Sequence, residues 1–283
     1  MPSYSTWLAR RRSRQSGWAA LPGDILVDIF HRLGPREVML GAEFVCSWWR
    51  RVALEEPSLW RRVGMDDVLD PWRRRVGWDA EVAMKRAAVA RSAGQCEAFG
   101  GYFGDDSPFV SLVLESAPSV KCLKISHYSD DESAEMLIEA LKKLPLLEEL
   151  QIKFTYMIDS EENMLQSVCQ ACPHLKELVL CYASAFDLEC NEHGSLKEPI
   201  DGDIPMMHEL RVLEISECDL SCKGLRSILD SCPQLETLDI DGYFDKREMD
   251  DELRAKCSRV KNLILETCKK PLKSDEDSDE DYP

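Results

Sequence analysis

Long apolar runs are missing from this 283-residue chain; none approaches the 18 or so residues that a membrane-spanning helix needs, so no membrane span is expected. The opening MPSYSTWLARRRSRQSG is basic, but no apolar stretch follows it, so no secretory signal is expected either. Histidine is scarce, with five residues scattered along the chain. There is no G-x-S-x-G, no glycine-rich phosphate loop and no H-E-x-x-H. Without a nucleophile beside a base, or a metal-ligating pair on one helix face, the chain is expected to be non-catalytic and to carry no cofactor. Positive charge is the other shortage. Beyond residue 92 there are 19 Lys and Arg against 41 Asp and Glu. Nucleic acid is therefore not expected as the main ligand, because phosphates would be repelled.

The first 92 residues differ, with 16 Lys and Arg against 11 Asp and Glu. Such asymmetry suggests two parts with different partners. Cysteine is plentiful at twelve residues. With no export signal the expectation is reduced thiols rather than disulfides, each acting as a small buried apolar group.

An internal repeat organises the acidic part. Val120-x2-Leu123-x-Ile125 is followed by Leu147-x2-Leu150-x-Ile152 and Leu175-x2-Leu178-x-Leu180. Leu210-x2-Leu213-x-Ile215, Leu235-x2-Leu238-x-Ile240 and Val260-x2-Leu263-x-Leu265 complete six copies, at steps of 27, 28, 35, 25 and 25 residues. A degenerate copy precedes them at Cys96-x2-Phe99-x-Gly101. The L-x-L portion alternates, which predicts a short strand with one buried face. Between copies, Met136, Leu137, Ala140, Leu141 and Leu144 have helical spacing, as do Leu225, Ile228, Leu229 and Cys232. One strand plus one helix cannot bury its own apolar faces, whereas stacked copies can. The fold class expected is therefore α/β: a parallel sheet lined by helices.

Cys172, Cys232 and Cys257 each stand three residues before a repeat's first Leu or Val, and Cys218 and Cys268 stand three after the last. This pattern resembles the cysteine-containing leucine-rich repeat typical of F-box proteins. The long step between Leu175 and Leu210 holds CNEHGSLKEPIDGDIP, which reads as a loop near residues 187–204 grafted onto a repeat. The closing PLKSDEDSDEDYP is acidic and reads as a disordered tail.

Ahead of the repeats, GWAALPGDILVDIFHRLGPREVMLGAEFVCSWWRRVALEEPSLWRRV spans residues 17–63. Leu21-Pro22 precedes a helix, with the proline placed in its first turn. Ile25, Leu26, Ile29, Phe30 and Leu33 form its apolar stripe, and Gly34-Pro35 ends it and starts a second helix. A third helix is expected to carry Val45, Cys46, Trp49 and Val52, to stop at Pro57, and to be followed by Leu59-Trp60. Three short helices make a marginal core. A domain this small with so long an apolar stripe usually completes its core against a partner.

The segment resembles the F-box: the L-P pair, the I-L-x-x-I-F stripe, the L-G-P-R-E turn, V-C-x-x-W-R-R and a closing L-W. Glu37-Val38 and Ser47-Trp48 depart from the usual Asp-Leu and polar pairs without altering the apolar pattern. With the repeats behind it, the chain is similar to short plant-type F-box/leucine-rich-repeat proteins. The resemblance implies an N-terminal three-helix F-box followed by a short solenoid, an open arc of about six to seven repeats. The parts would be a basic disordered tail over 1–16, the F-box over 17–63, a helical linker over 64–93, repeats over 94–270 and an acidic tail over 271–283. It further implies a substrate-recognition subunit of a Skp–cullin–F-box ubiquitin ligase, reaching a cullin and a RING subunit through a Skp-family adaptor. Adaptor contacts would fall on Leu21, Pro22, Ile25, Leu26, Ile29, Phe30, Leu33, Val45, Cys46, Trp49 and Trp60. Nucleus and cytoplasm are the expected locations. A three-helix cap for a solenoid, a non-degradative scaffold and a small-molecule receptor are the competing readings.

Several other features carry chemistry of their own. Cys169-x2-Cys172 is half of a zinc site, a redox pair, or packed thiols. Arg10-Arg11-Arg12-x-Arg14 is a nuclear import signal or a solvated tail, and Arg73-Arg74-Arg75 between Trp72 and Trp78 is a nucleic-acid contact or a domain junction. Ser274 and Ser278 each precede three acidic residues, the pattern acidophilic kinases prefer. Between the buried positions of the repeat strands lie outward residues. In the C-terminal half these include Glu214, Asp239, Asp241 and Glu266, a candidate docking face for a basic substrate segment or simply a solvated charged face.

Overall fold

A computed structural model describes residues 17–65, 77–103, 117–127, 131–154, 163–182 and 198–267. The chain forms two compact units, Met1–Ile152 and Lys153–Pro283.

In the first unit, residues 17–19 are helical, and after them come three α-helices and two 3-10 turns ahead of the first strand. Helix α1, Gly23–Leu33, is entered from extended backbone at Pro22, whose carbonyl accepts the Leu26 N–H at 3.1 Å. The proline expected inside the first turn thus stands one residue ahead of it, where its fixed φ of −55° suits the extended entry. Gly34 ends α1 with φ +81°, a conformation that a side chain would strain, and Pro35 opens α2, Pro35–Leu40. A 3-10 turn covers Ala42–Phe44, and α3 runs Ser47–Glu55. Val45 and Cys46, expected in the third helix, lie ahead of it. Cys46 is extended and uses its carbonyl to accept the Arg50 N–H, so the helix begins only at Ser47. Glu56 is extended, as the residue before a proline tends to be, and its carboxylate accepts the Ser58 N–H in the second 3-10 turn, Pro57–Trp60.

The chain then enters the sheet at once. Strand β1, Arg62–Val63, pairs in parallel with β2, Ala98–Phe103, and β2 with β3, Cys122–His127. Helix α4, Trp78–Arg91, lies between β1 and β2 in the sequence, and α5, Asp131–Leu141, follows β3. Val63, Phe99 and Leu123 stand in register, so the degenerate copy at Cys96 is a true strand and the helical segment contributes a strand of its own. Strand β4, Glu149–Phe154, follows; the N–H groups of Glu148 and Glu149 both donate to the Lys121 carbonyl.

The second unit contains α6, Met164–Ala171; β5, Glu177–Cys181; β6, Glu198–Ile200; β7, Val212–Leu220; α7, Cys222–Ser231; β8, Thr237–Tyr243; α8, Asp251–Cys257; and β9, Asn262–Thr267. Strand β5 pairs with β7, β6 with β7, β7 with β8 and β8 with β9, each in parallel. Leu178, Leu213, Leu238 and Leu263 share one register position, and Leu180, Ile215, Ile240 and Leu265 the next inward one. This is the L-x-L periodicity expressed as columns of side chains that are buried on β5, β7 and β8 and half-buried on β9. The cysteines that stand three residues ahead of three of the copies close helices: Cys172 and Cys232 follow α6 and α7, Cys257 ends α8, and all three are buried. Met207 fills the equivalent place ahead of Leu210 and is fully buried.

The grafted segment corrects the expectation of a plain loop, because its residues 198–200 form β6. The cause is a bulge between Ser216 and Cys218, where Glu217 has φ +61°. It accompanies a nine-residue β7 that runs past the end of β5, and the backbone groups of Cys218–Leu220 need a partner there. Strand β6 supplies it. From Ile200 the chain follows α7, held by Ser221, Ser227 and Ser231. The Ser221 N–H donates to the Ile200 carbonyl, the Ile204 N–H to Ser227 Oγ, and Ser231 Oγ to the Ile204 carbonyl.

Candidate functional site

Helix α1 carries two apolar stripes. Leu26 and Phe30, four residues apart, are 0% and 1% exposed and belong to the core of the first unit. Beside them, Ile25, Ile29 and Leu33 recur at the same spacing on the adjoining face. Ile25 is 45% and Leu33 43% exposed, and Ile29 is half-buried. One stripe is covered by the chain and its neighbour is not. The turn at Ala42–Phe44 adds Phe44 and Val45, 66% and 54% exposed. Leu40, Leu54 and Trp18 are also exposed.

The core beneath this face is tied by tryptophans. Trp49 packs edge-on against Phe30 with ring centroids 5.6 Å apart, and its Nε1 donates to the Trp18 carbonyl at 3.0 Å. Trp48 Nε1 donates to the Leu21 carbonyl, also at 3.0 Å. Together they fasten residues 18–21 onto α3, so the Trp48 departure has a task. Trp60 is fully buried and donates to the Ala53 carbonyl. Arg91, from the last turn of α4, lies 4.9 Å from the centre of the Trp60 ring and pairs with the buried Glu43 at 2.8 Å.

The eleven residues expected to touch an adaptor therefore divide. Pro22, Ile25, Leu33 and Val45 are exposed, and Leu21, Ile29 and Cys46 are half-buried. Leu26, Phe30, Trp49 and Trp60 lie within the chain's own core and form no surface in this conformation. Sequence reasoning passed over Phe44, Leu40, Leu54 and Trp18. Their signal was apolar character beside a marked position, but they stand outside the helical periodicity that picked out the others.

In the second unit, Val179, Glu214, Asp239 and Ile264 share one register position, and Cys181, Ser216, Asp241 and Glu266 share the one two residues on. The strand register pairs Glu214 with Asp239 and Asp241 with Glu266. Burial pushes the Cys172 and Cys232 thiols up to about 12, and it raises Cys169 as well. Among the described residues, no group of three or more His, Cys, Asp or Glu side chains is placed to hold a metal, and no helix is long and apolar enough to cross a membrane. Arg10–Arg14, Arg73–Arg75, Cys268, Ser274 and Ser278 lie outside the described residues.

Comparison with known proteins accounts for the N-terminal geometry. The F-box-like family model matches residues 18–66, from Trp18 to just beyond β1. The putative F-box/LRR-repeat protein 22 of Arabidopsis thaliana is 31% identical over 252 residues, covering 88% of this chain and 77% of that protein. The chain belongs to the F-box/LRR-repeat family. A second relative from the same plant, F-box protein SKIP19, is 32% identical over 262 residues, with 90% of this chain and 78% of that protein covered. The putative F-box/LRR-repeat protein 23 is 34% identical over 253 residues; the match takes in 87% of this chain and 52% of that protein, so the chain spans about half of its length. In this F-box/LRR chain, α1 to α3 and the short strand β1 lie within the F-box match, and the parallel sheet continues beyond it.

Proposed function

We propose that this F-box/LRR chain is the substrate-recognition subunit of a Skp–cullin–F-box ubiquitin ligase. The observation that carries the reading is the uncovered stripe of Ile25, Ile29 and Leu33, on a helix whose neighbouring stripe is already buried. An amphipathic helix with an open apolar face is suited to a partner's groove. Covering each such side chain contributes about 1.5–3 kcal/mol. Pro22, Phe44 and Val45 extend the surface offered to a Skp-family adaptor. The core residues Leu26, Phe30, Trp49 and Trp60 shape it from beneath.

The chain itself performs no chemistry in this reading. It holds a substrate near ubiquitin activated on other subunits, which raises the effective concentration of the reacting groups. The repeats, taken as six or seven copies over residues 94–270, supply the substrate surface. The outward column of Glu214 and Asp239, with Asp241 and Glu266 beside it, is the proposed docking face for a basic protein segment. Ser274 and Ser278 are proposed modification sites, and nucleus and cytoplasm the proposed places of action.

The test is co-purification with a Skp-family adaptor. Ile25→Asp with Leu33→Asp changes only partly exposed positions, so the circular dichroism should be unchanged. Two carboxylates forced into an apolar groove should cost about 3 kcal/mol or more, on the order of a hundredfold in affinity. Undiminished recovery of the adaptor with this double variant would sink the assignment.

A further inference from the structure

We infer that Arg91, which lies beyond the matched F-box segment, is a positioning residue for adaptor binding: it holds the Phe44–Val45 turn in its docking shape through Glu43. The inference rests on the adaptor reading above.

The turn cannot hold itself. It is a 3-10 element of three residues, Ala42–Phe44, entered at Gly41 and left through the extended Cys46. Its own bonds are two, from the Phe44 N–H to the Gly41 carbonyl and from the Val45 N–H to the Ala42 carbonyl. Such short 3-10 pieces have poor hydrogen-bond geometry and take their shape from what they pack against. Here two adjacent residues point inward, Ala42 at 8% and Glu43 at 7% exposed, while the next two, Phe44 and Val45, point out. With about 120° between successive 3-10 residues, the direction of Glu43 decides the direction of Phe44.

Glu43 is a carboxylate in a place that excludes water. A buried carboxylate stays in place only when it is paired, because stripping its cation leaves an uncompensated charge that water draws out. Arg91 Nη1 stands 2.8 Å from Glu43 Oε2 and is the pairing cation. The guanidinium is fixed in turn by Trp60, over whose ring it lies at 4.9 Å. Trp60 is itself locked by the bond from its Nε1 to the Ala53 carbonyl of α3. Ser92, next in the chain, is fully buried and its Oγ donates to the Val89 carbonyl, which keeps the end of α4 from fraying. Arg91 is also close in sequence to β2, where Arg61 Nη2 reaches Gln95 Oε1 at 3.2 Å and the Arg61 carbonyl accepts the Glu97 and Ala98 N–H groups. The linker helix is therefore anchored at both the F-box and the sheet of the first unit, and Arg91 transmits that anchorage to the turn. Without the pair, Glu43 rotates toward solvent and carries Phe44 and Val45 away from the face they share with the adaptor.

The experiment measures affinity of the full chain for a purified Skp-family adaptor, by calorimetry at low temperature, with the near-ultraviolet tryptophan signal confirming that each variant is folded. Arg91→Met keeps the apolar stem over Trp60 and leaves Glu43 unpaired; affinity should fall by about tenfold or more. Arg91→Met combined with Glu43→Gln removes the charge that needed pairing, and most of the lost affinity should return even if the melting temperature does not. That recovery separates positioning from a general loss of stability. If Arg91→Met does not fold, Arg91→Lys retains the charge without the planar fork; weakened binding that Glu43→Gln restores would then support the inference. Affinity within about twofold of the wild type in a folded Arg91 variant overturns it. So does a loss that Glu43→Gln fails to restore, since Arg91 would then be acting on the adaptor directly. Failure of the wild-type chain to bind the adaptor would overturn the adaptor reading itself and this inference with it.

Discussion

The thiols of the repeat cysteines are held far from their ionised form. Burial raises Cys172 and Cys232 from an ordinary 9.0 to about 12 and also lifts Cys257. The thiolate is the species that reacts with alkylating reagents, so these positions should be inert at neutral pH. In the native chain, Cys172, Cys232 and Cys257 should label much more slowly than Cys46 and Cys222, which are half-buried. Mass spectrometry after timed alkylation checks this, with the unfolded chain as reference; fast native labelling of all three buried sites would show the register argument to be wrong. A stability trend accompanies it. A thiol whose folded value is raised contributes fully below its unfolded value, near 9, and that contribution is lost as pH climbs toward about 12. Between those limits the unfolded chain has released protons that the folded chain retains, so the midpoint of unfolding should decline.

At the scale of elements, the junction of β6 with α7 reverses a general rule. Alanine normally stabilises a helix relative to glycine by about 1 kcal/mol. Gly224 lies in the first turn of α7, capped by Ser221 Oγ at 2.9 Å from its N–H. A Cβ on Gly224 would collide with the Ile200 carbonyl, a backbone atom of β6 that has no rotamer to change. Gly224→Ala should therefore destabilise the chain by roughly 1–3 kcal/mol, because β6 must leave α7 or the helix must shift. Denaturant unfolding of the variant reads the sign. Ser221→Ala at the cap should cost about 0.5–2 kcal/mol by the ordinary loss of an N-cap. A gain in stability from Gly224→Ala would mean that β6 gives way without cost.

Across the whole molecule, charge separates the two jobs. The residues up to 92 are net positive, and those beyond carry 41 acidic residues against 19 basic ones. The second unit aligns Glu214 with Asp239, and Asp241 with Glu266, on neighbouring strands. Complementary charge of this kind sets specificity and on-rate, and it weakens as salt rises. Reversing it with Asp239→Lys and Asp241→Lys should abolish capture of a basic substrate and leave adaptor binding unchanged. Affinity capture at two salt concentrations, compared by mass spectrometry, reads both effects. Retention of the same captured proteins by the charge-reversed chain would move the docking surface elsewhere.

Periodicity was legible in the sequence wherever the backbone repeats. The L-x-x-L-x-L copies coincide with β3, β4, β5, β7, β8 and β9, because alternation and burial are both local properties of a strand that stacks on its like. The α1 stripe and the stops at Gly34 and Pro57 were legible for the same reason. What tertiary packing alone decided is which apolar face stays open. Ile25 and Leu26 are adjacent and chemically alike, yet one is exposed and the other fully buried, and only the position of α3 with its tryptophans distinguishes them. Strand β6 was hidden because three polar-flanked residues carry no period; a bulge sixteen residues further on created the vacancy they fill. The pairing of Glu43 with Arg91 joins residues 48 apart, and the sequence held no sign of it. Short-range pattern determines which elements form, whereas the covering of one face by another depends on contacts between residues distant in the chain.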